Sequence, residues 1–150
     1  MSDEPRCELA EMFAFFSAKA QLYAQTIRPH LEKGGLVIAD RGSLSCLSYN
    51  LVTTSLELRY IEHLLGVATM GILPDLIVLL DLPVDEAIVR VRNRLCKSRF
   101  DNKPRDFFFR QRNEFLRLIS LRPNCRVIDA SPPVNGIHEQ IRGLVCAAVP

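Results

Sequence analysis

The nine residues Asp75 to Pro83, DLIVLLDLP, constrain the fold more than any other stretch. The apolar run is short, continuous, rich in branched side chains and ended by a proline, so it reads as a strand covered on both faces. Two shorter runs repeat the pattern: LVIAD, Leu36 to Asp40, and RVIDA, Arg126 to Ala130. Between and around them the period changes. Leu9, Met12, Phe13, Phe16, Ala20, Tyr23 and Ile27 recur at helical spacing, which predicts a long amphipathic helix closed near Pro29. Further helices are expected over about 44–52, 56–70 (terminated by Gly71 and Pro74), 84–95, 104–121 and from about Val134. Buried strands alternating with helices imply the α/β class, a parallel sheet with helices on both faces, in one domain spanning 1–150. In such sheets ligands bind beyond the carboxyl ends of the strands. Asp40, Asp81 and Asp129 each close a strand, so three carboxylates are expected at one edge.

Composition excludes several functions. The chain has 150 residues, 48% apolar and 24% charged, with a net charge of +2. That balance gives no bulk attraction for nucleic acid or membranes, so any phosphate recognition has to be local. The five cysteines, Cys7, Cys46, Cys96, Cys125 and Cys146, are scattered and never spaced as C-x-x-C, which fits reduced thiols in a cytoplasmic protein and no zinc site. The N-terminus has no apolar signal segment, and no apolar run approaches the roughly 20 residues of a membrane helix.

Three groups of residues carry chemistry. Asp40 is followed by Arg41, then Ser43, Ser45 and Ser48. Arginine suits bidentate phosphate contacts, and a neighbouring carboxylate can orient it or hold a hydrated Mg²⁺. Asp81 and Asp129 have a plainer alternative, the capping of a turn. Phe15 falls off the core stripe, on a face shared with Lys19 and Leu22; the pair is either a stacking platform for a base or a surface ring with a snorkelling lysine. Arg90, Arg92, Arg94, Lys97 and Arg99 lie within ten residues. They form either a solvated face or a lid that closes over phosphates.

The run ELAEMFAFFSAKAQLYAQTIRPHLEKGGLVIADRGSLSCLSYN, followed by ILPDLIVLLDLP, RVRNRLCKSRFDNKPRDFFFRQRNEFL and RVIDASPP, resembles bacterial thymidylate kinase from about Glu8 to Val145. The resemblance implies that Phe15 stacks on thymine, that Lys19 takes the place of a base-reading arginine, and that Arg41 contacts the acceptor monophosphate beside Asp40. It places Ser45, Tyr49 and Asn50 around the sugar and base. Arg92, Arg94, Lys97 and Arg99 would belong to the lid, with Asp40, Arg41, Arg94 and Arg99 nearest the reaction. The implied reaction moves the γ-phosphoryl of Mg²⁺-bound ATP to dTMP, giving dTDP and ADP, and the implied assembly is a homodimer.

Departures from that pattern set further expectations. No G-x-x-x-x-G-K-[ST] occurs in the 150 residues, so the fold is expected to lack the family's first two strands and phosphate-binding loop, and the chain to transfer weakly or not at all alone. A separate N-terminal segment would supply that loop. The alternative is a non-catalytic remnant or dimerising partner with residual dTMP binding. The strands ending at Asp40 and Asp81 would flank an empty slot, which is expected to close, to destabilise the chain, or to be filled from elsewhere. NLVTTSLE replaces a glycine-rich turn after Tyr49, so a differently shaped loop is expected there.

Overall fold

A computed structural model describes residues 7–93, 95 and 101–148, and the chain divides into two compact units, Met1–Leu73 and Pro74–Pro150.

The first unit is helical. Helix α1 (Glu8–Leu22) begins with Glu8 and Glu11 in its first turn, where carboxylates oppose the positive end of the helix dipole. The helical run closes two residues past Pro29, at Leu31. A π-helical segment, Tyr23–Ile27, follows α1 directly, and the Arg28 N–H reaches back five residues to the Tyr23 carbonyl. Proline has no N–H and its ring crowds the carbonyl four residues back; one wider turn ahead of it lets the helix run on through α2 (Arg28–Leu31). Gly34, at φ +77, then ends the helix by donating to the Leu31 carbonyl at 2.8 Å. Helices α3 (Ser43–Thr53) and α4 (Leu58–Ala68) follow, and α4 packs against both α1 and α3.

The core of this unit joins Met12, Phe16, Tyr23 and Ile27 to Leu44, Leu47, Ile61, Leu65 and Ala68. Each large side chain removed fully from water contributes about 1.5–3 kcal/mol. The predicted stripe needs correcting at Leu9 and Phe13, which are exposed. They project from α1 beyond the reach of its packing partners, and periodicity alone cannot report how wide the covered face is.

The predicted strand Leu36 to Asp40 is absent, and with it one strand of the expected sheet. Residues 35–39 have no regular structure, and Ile38 is 83% exposed. An apolar extended segment becomes a strand only when a neighbour accepts and donates its backbone hydrogen bonds.

The second unit contains the α/β arrangement. Strands β1 (Ile77–Asp81) and β2 (Cys125–Asp129) pair in parallel from Ile77 beside Cys125 to Asp81 beside Asp129. Asn124 sets the start of the ladder, its side chain donating to the Pro74 carbonyl at 2.7 Å and its own carbonyl accepting from Ile77 N–H. Helices α5 (Val84–Arg92) and α6 (Arg105–Ser120) form the crossover and pack on each other, while α6 and α7 (Val134–Ala148) pack on β2. Phe107, Leu118, Ile119, Cys125 and Ile128 fill the core. Among the described residues the sheet therefore has two strands, and only Asp81 and Asp129 share its carboxyl edge.

Candidate functional site

In the first unit, the turn into α3 organises the charged residues. Arg41 adopts φ +65, a left-handed conformation unusual for a side chain with a Cβ. Gly42 follows as the residue before α3, and no side-chain hydrogen bond caps that helix start. From this bend the Arg41 guanidinium turns along the helix. It donates to the Tyr49 hydroxyl at 2.7 Å and lies 4.9 Å from the centre of the Tyr49 ring. Asp40 and Arg41 are both exposed.

Lys19 is carried in the last turn of α1. Its ammonium sits 5.6 Å from the centre of the Tyr23 ring. Cys46, on α3, senses both cations: burial pushes its thiol above the ordinary range, and Lys19 and Arg41 oppose that shift. Phe15 lies one turn before Lys19 on α1 and is 58% exposed, so its ring is open to a planar ligand. Ser45 is half-buried in the first turn of α3. Asn50 is engaged on its own helix, donating to the Cys46 carbonyl at 2.7 Å.

After Tyr49, α3 ends on two threonines. Thr53 donates to the Tyr49 carbonyl at 2.9 Å and Thr54 to the Asn50 carbonyl at 2.7 Å, so two threonine hydroxyls close α3 without a glycine. Thr54 then leaves the helix in an extended conformation, φ −108 and ψ 165.

The strand-end carboxylates of the second unit are both engaged by groups of the protein. Asp81 accepts two bonds from Arg112, at 2.7 and 2.8 Å, in a planar fork across 31 residues of sequence. Those bonds hold its carboxyl below the usual range, against the opposing effect of burial. Asp129 accepts from the Ser131 N–H at 2.9 Å, the turn-capping role open to it from sequence, and that bond lowers its pKa. Arg90 donates to the Ala130 carbonyl at 3.0 Å. Arg105 forks onto Asp85 at 2.7 and 3.0 Å on an exposed surface. Of the expected lid cations, Arg92 is exposed at the end of α5, whereas Arg94, Lys97 and Arg99 lie outside the described residues.

Of the residues expected from the sequence, Lys19, Arg41 and Tyr49 all lie in the first unit, where Arg41 bonds to Tyr49 and both cations act on the Cys46 thiol. Sequence reasoning missed Cys46, whose only signal was its place between Ser45 and Tyr49. It also missed Arg112, which no local pattern distinguishes from its neighbours.

The sequence holds no glycine-rich phosphate loop, and among the described residues no three His, Cys, Asp or Glu side chains gather as metal ligands. No helix among the described residues is long and apolar enough to cross a membrane.

The sequence profile of the thymidylate kinase family matches residues 2–141. Among curated proteins, the thymidylate kinase of Thermosipho melanesiensis is 34% identical over 136 residues, 91% of this chain and 68% of that protein. That of Desulfovibrio desulfuricans is 37% identical over 144 residues, 91% of this chain and 66% of its own length. The probable thymidylate kinase of Thermococcus gammatolerans is 36% identical, covering 91% of this chain and 63% of that protein. The chain spans about two thirds of the length of these relatives.

Proposed function

The chain belongs to the thymidylate kinase family, and on that basis we propose that the surface around Arg41 is its site for dTMP, the acceptor of a phosphoryl group from Mg²⁺-bound ATP in a reaction giving dTDP and ADP. The observation that carries this reading is the exposed Arg41, held by the Tyr49 hydroxyl beside the start of α3, a helix end that no side chain caps. Backbone N–H groups at a helix start together with a guanidinium favour a phosphate. Phe15 supplies an open ring for the base and Lys19 a donor for an exocyclic oxygen. Asp40 stands next to the phosphate-binding arginine, Tyr49 bonds to that arginine, and Ser45 and Asn50 continue around the sugar.

Transfer also needs the γ-phosphate held and its charge compensated. We assign that task to a phosphate loop from a separate segment, together with the cations of the basic stretch, Arg92, Arg94, Lys97 and Arg99. The exposed apolar segment at Leu36 and Ile38 supports the same reading, since a strand from such a segment would give it a ladder partner. Alone, the chain binds its acceptor and transfers weakly or not at all. Its proposed location is the cytoplasm. A second reading, a non-catalytic dTMP-binding partner in a homodimer, is favoured by the apolar Leu9 and Phe13 exposed on α1.

The test is calorimetric titration with dTMP, dUMP and dGMP, followed by a phosphoryl-transfer assay with and without an added phosphate-loop segment. The proposal expects dTMP to bind best, Arg41→Ala to abolish that binding while the fold stays intact, and transfer to appear once the segment is added. Binding without any transfer would select the second reading; no dTMP binding by the unaltered chain would remove both.

A further inference from the structure

We infer that Tyr49 is a positioning residue for the acceptor phosphate: it works through Arg41, by holding the guanidinium in the plane and direction that a phosphate needs. The inference rests on the proposed dTMP site and gives Tyr49 a role different from contact with the sugar.

A free surface arginine samples many rotamers, and most of that freedom is lost when a ligand fixes it. Arg41 is exposed and sits in a bend with φ +65. Tyr49 restrains its side chain in two ways. Its hydroxyl accepts a guanidinium N–H at 2.7 Å, which fixes position, and its ring lies 4.9 Å from the guanidinium carbon, which limits tilting.

The anchor itself is firm. Tyr49 is half-buried on α3, next to Ser48, which is fully buried, on the helix that also buries Leu44 and Leu47. Its carbonyl accepts the Thr53 hydroxyl at 2.9 Å, which ties the residue into the closing turn of the helix. A guanidinium offers five N–H donors in a fixed fork. The bond to Tyr49 leaves donors free for two oxygens of a phosphate, so holding the fork does not exhaust it. A left-handed arginine persists only where its surroundings over-determine it, and such backbone strain concentrates where a ligand needs a group presented in advance.

Tyr49→Phe separates this role from direct nucleoside contact, because it removes only the hydroxyl oxygen and keeps the ring. The full chain and the variant are titrated with dTMP by calorimetry and with thymidine, which lacks the phosphate, by NMR to millimolar concentration; the Arg41 side-chain N–H signals are recorded without ligand. We expect dTMP binding to weaken about tenfold, the scale of one hydrogen bond, thymidine binding to stay unchanged, and the resolved Arg41 signals to average out. Equal weakening of dTMP and thymidine would place Tyr49 against the nucleoside and overturn the inference. Unchanged dTMP binding, or Arg41 signals that stay resolved, would overturn it as well. If the unaltered chain binds neither ligand, the acceptor-site reading fails first and takes this one with it.

Discussion

Arg112→Met tests how far the second unit depends on the half-buried ion pair of Arg112 with Asp81. The Asp81 side chain is 20% exposed and that of Arg112 34%. Removing Arg112 leaves a carboxylate that keeps only part of its hydration. Breaking a fully buried pair costs about 3–5 kcal/mol and an exposed one about 0–1. The exposure of Arg112 means solvent already screens part of the attraction, so about 1–2 kcal/mol is expected at pH 7. Across a chain of this length that corresponds to a fall in Tm of about 2–8 °C.

The pH dependence carries the sign. Arg112 lowers the folded pKa of Asp81. Such a group adds stability that is fully present above its unfolded pKa, about 3.9, and is lost as pH falls through the folded value. The gap between native chain and variant should therefore be constant from pH 7 to 5 and shrink below about pH 4. Urea unfolding, with hydrogen exchange of the 77–81 amides as the local readout, measures it at each pH. Asp81→Asn should cost less, because the charge it strands is the better-solvated one. Asp81→Leu combined with Arg112→Met should recover most of the loss. A gap below 0.5 kcal/mol at pH 7, or one that widens in acid, would refute the reasoning.

Phe15→Ala should weaken dTMP binding by about 1–3 kcal/mol in calorimetry while leaving the helical circular dichroism unchanged, because the ring is 58% exposed and packs little of the core. Gly34→Ala should destabilise the first unit by about 1 kcal/mol in urea, since φ +77 places a Cβ in the left-handed region; no loss would mean that the turn relaxes freely. The Cys46 thiol, raised by burial, should alkylate more slowly at pH 7.5 than the exposed Cys7 and Cys146. Lys19→Met should slow it further, and dTMP should protect it. Peptide mass spectrometry reads all three thiols, and alkylation of Cys46 as fast as Cys7 would place it outside the described packing.

The sequence alone determined most of what is local. Helices α3 to α7 lie within a few residues of their expected spans, because each carries its own periodicity and its own stop, such as Gly71 at φ +72. The apolar runs at Leu76 to Leu80 and Arg126 to Ala130 became β1 and β2, because each is short, branched and flanked by turn residues. The order of Phe15, Lys19, Arg41 and Tyr49 was readable too, since it rests on motif spacing.

Only the tertiary structure decided the rest. Leu36 to Asp40 has the composition of a strand, but a strand exists only with a neighbour to complete its hydrogen bonds, and a neighbour is not a property of five residues. Leu9 and Phe13 fit the helical period yet stay exposed, because the width of a buried face is set by what packs on it. The fork from Arg112 to Asp81 joins residues 31 apart, and the grip of Tyr49 on Arg41 depends on a bend at φ +65. Neither leaves a mark in the order of residues, because each is a distance in space between side chains whose types occur throughout the chain.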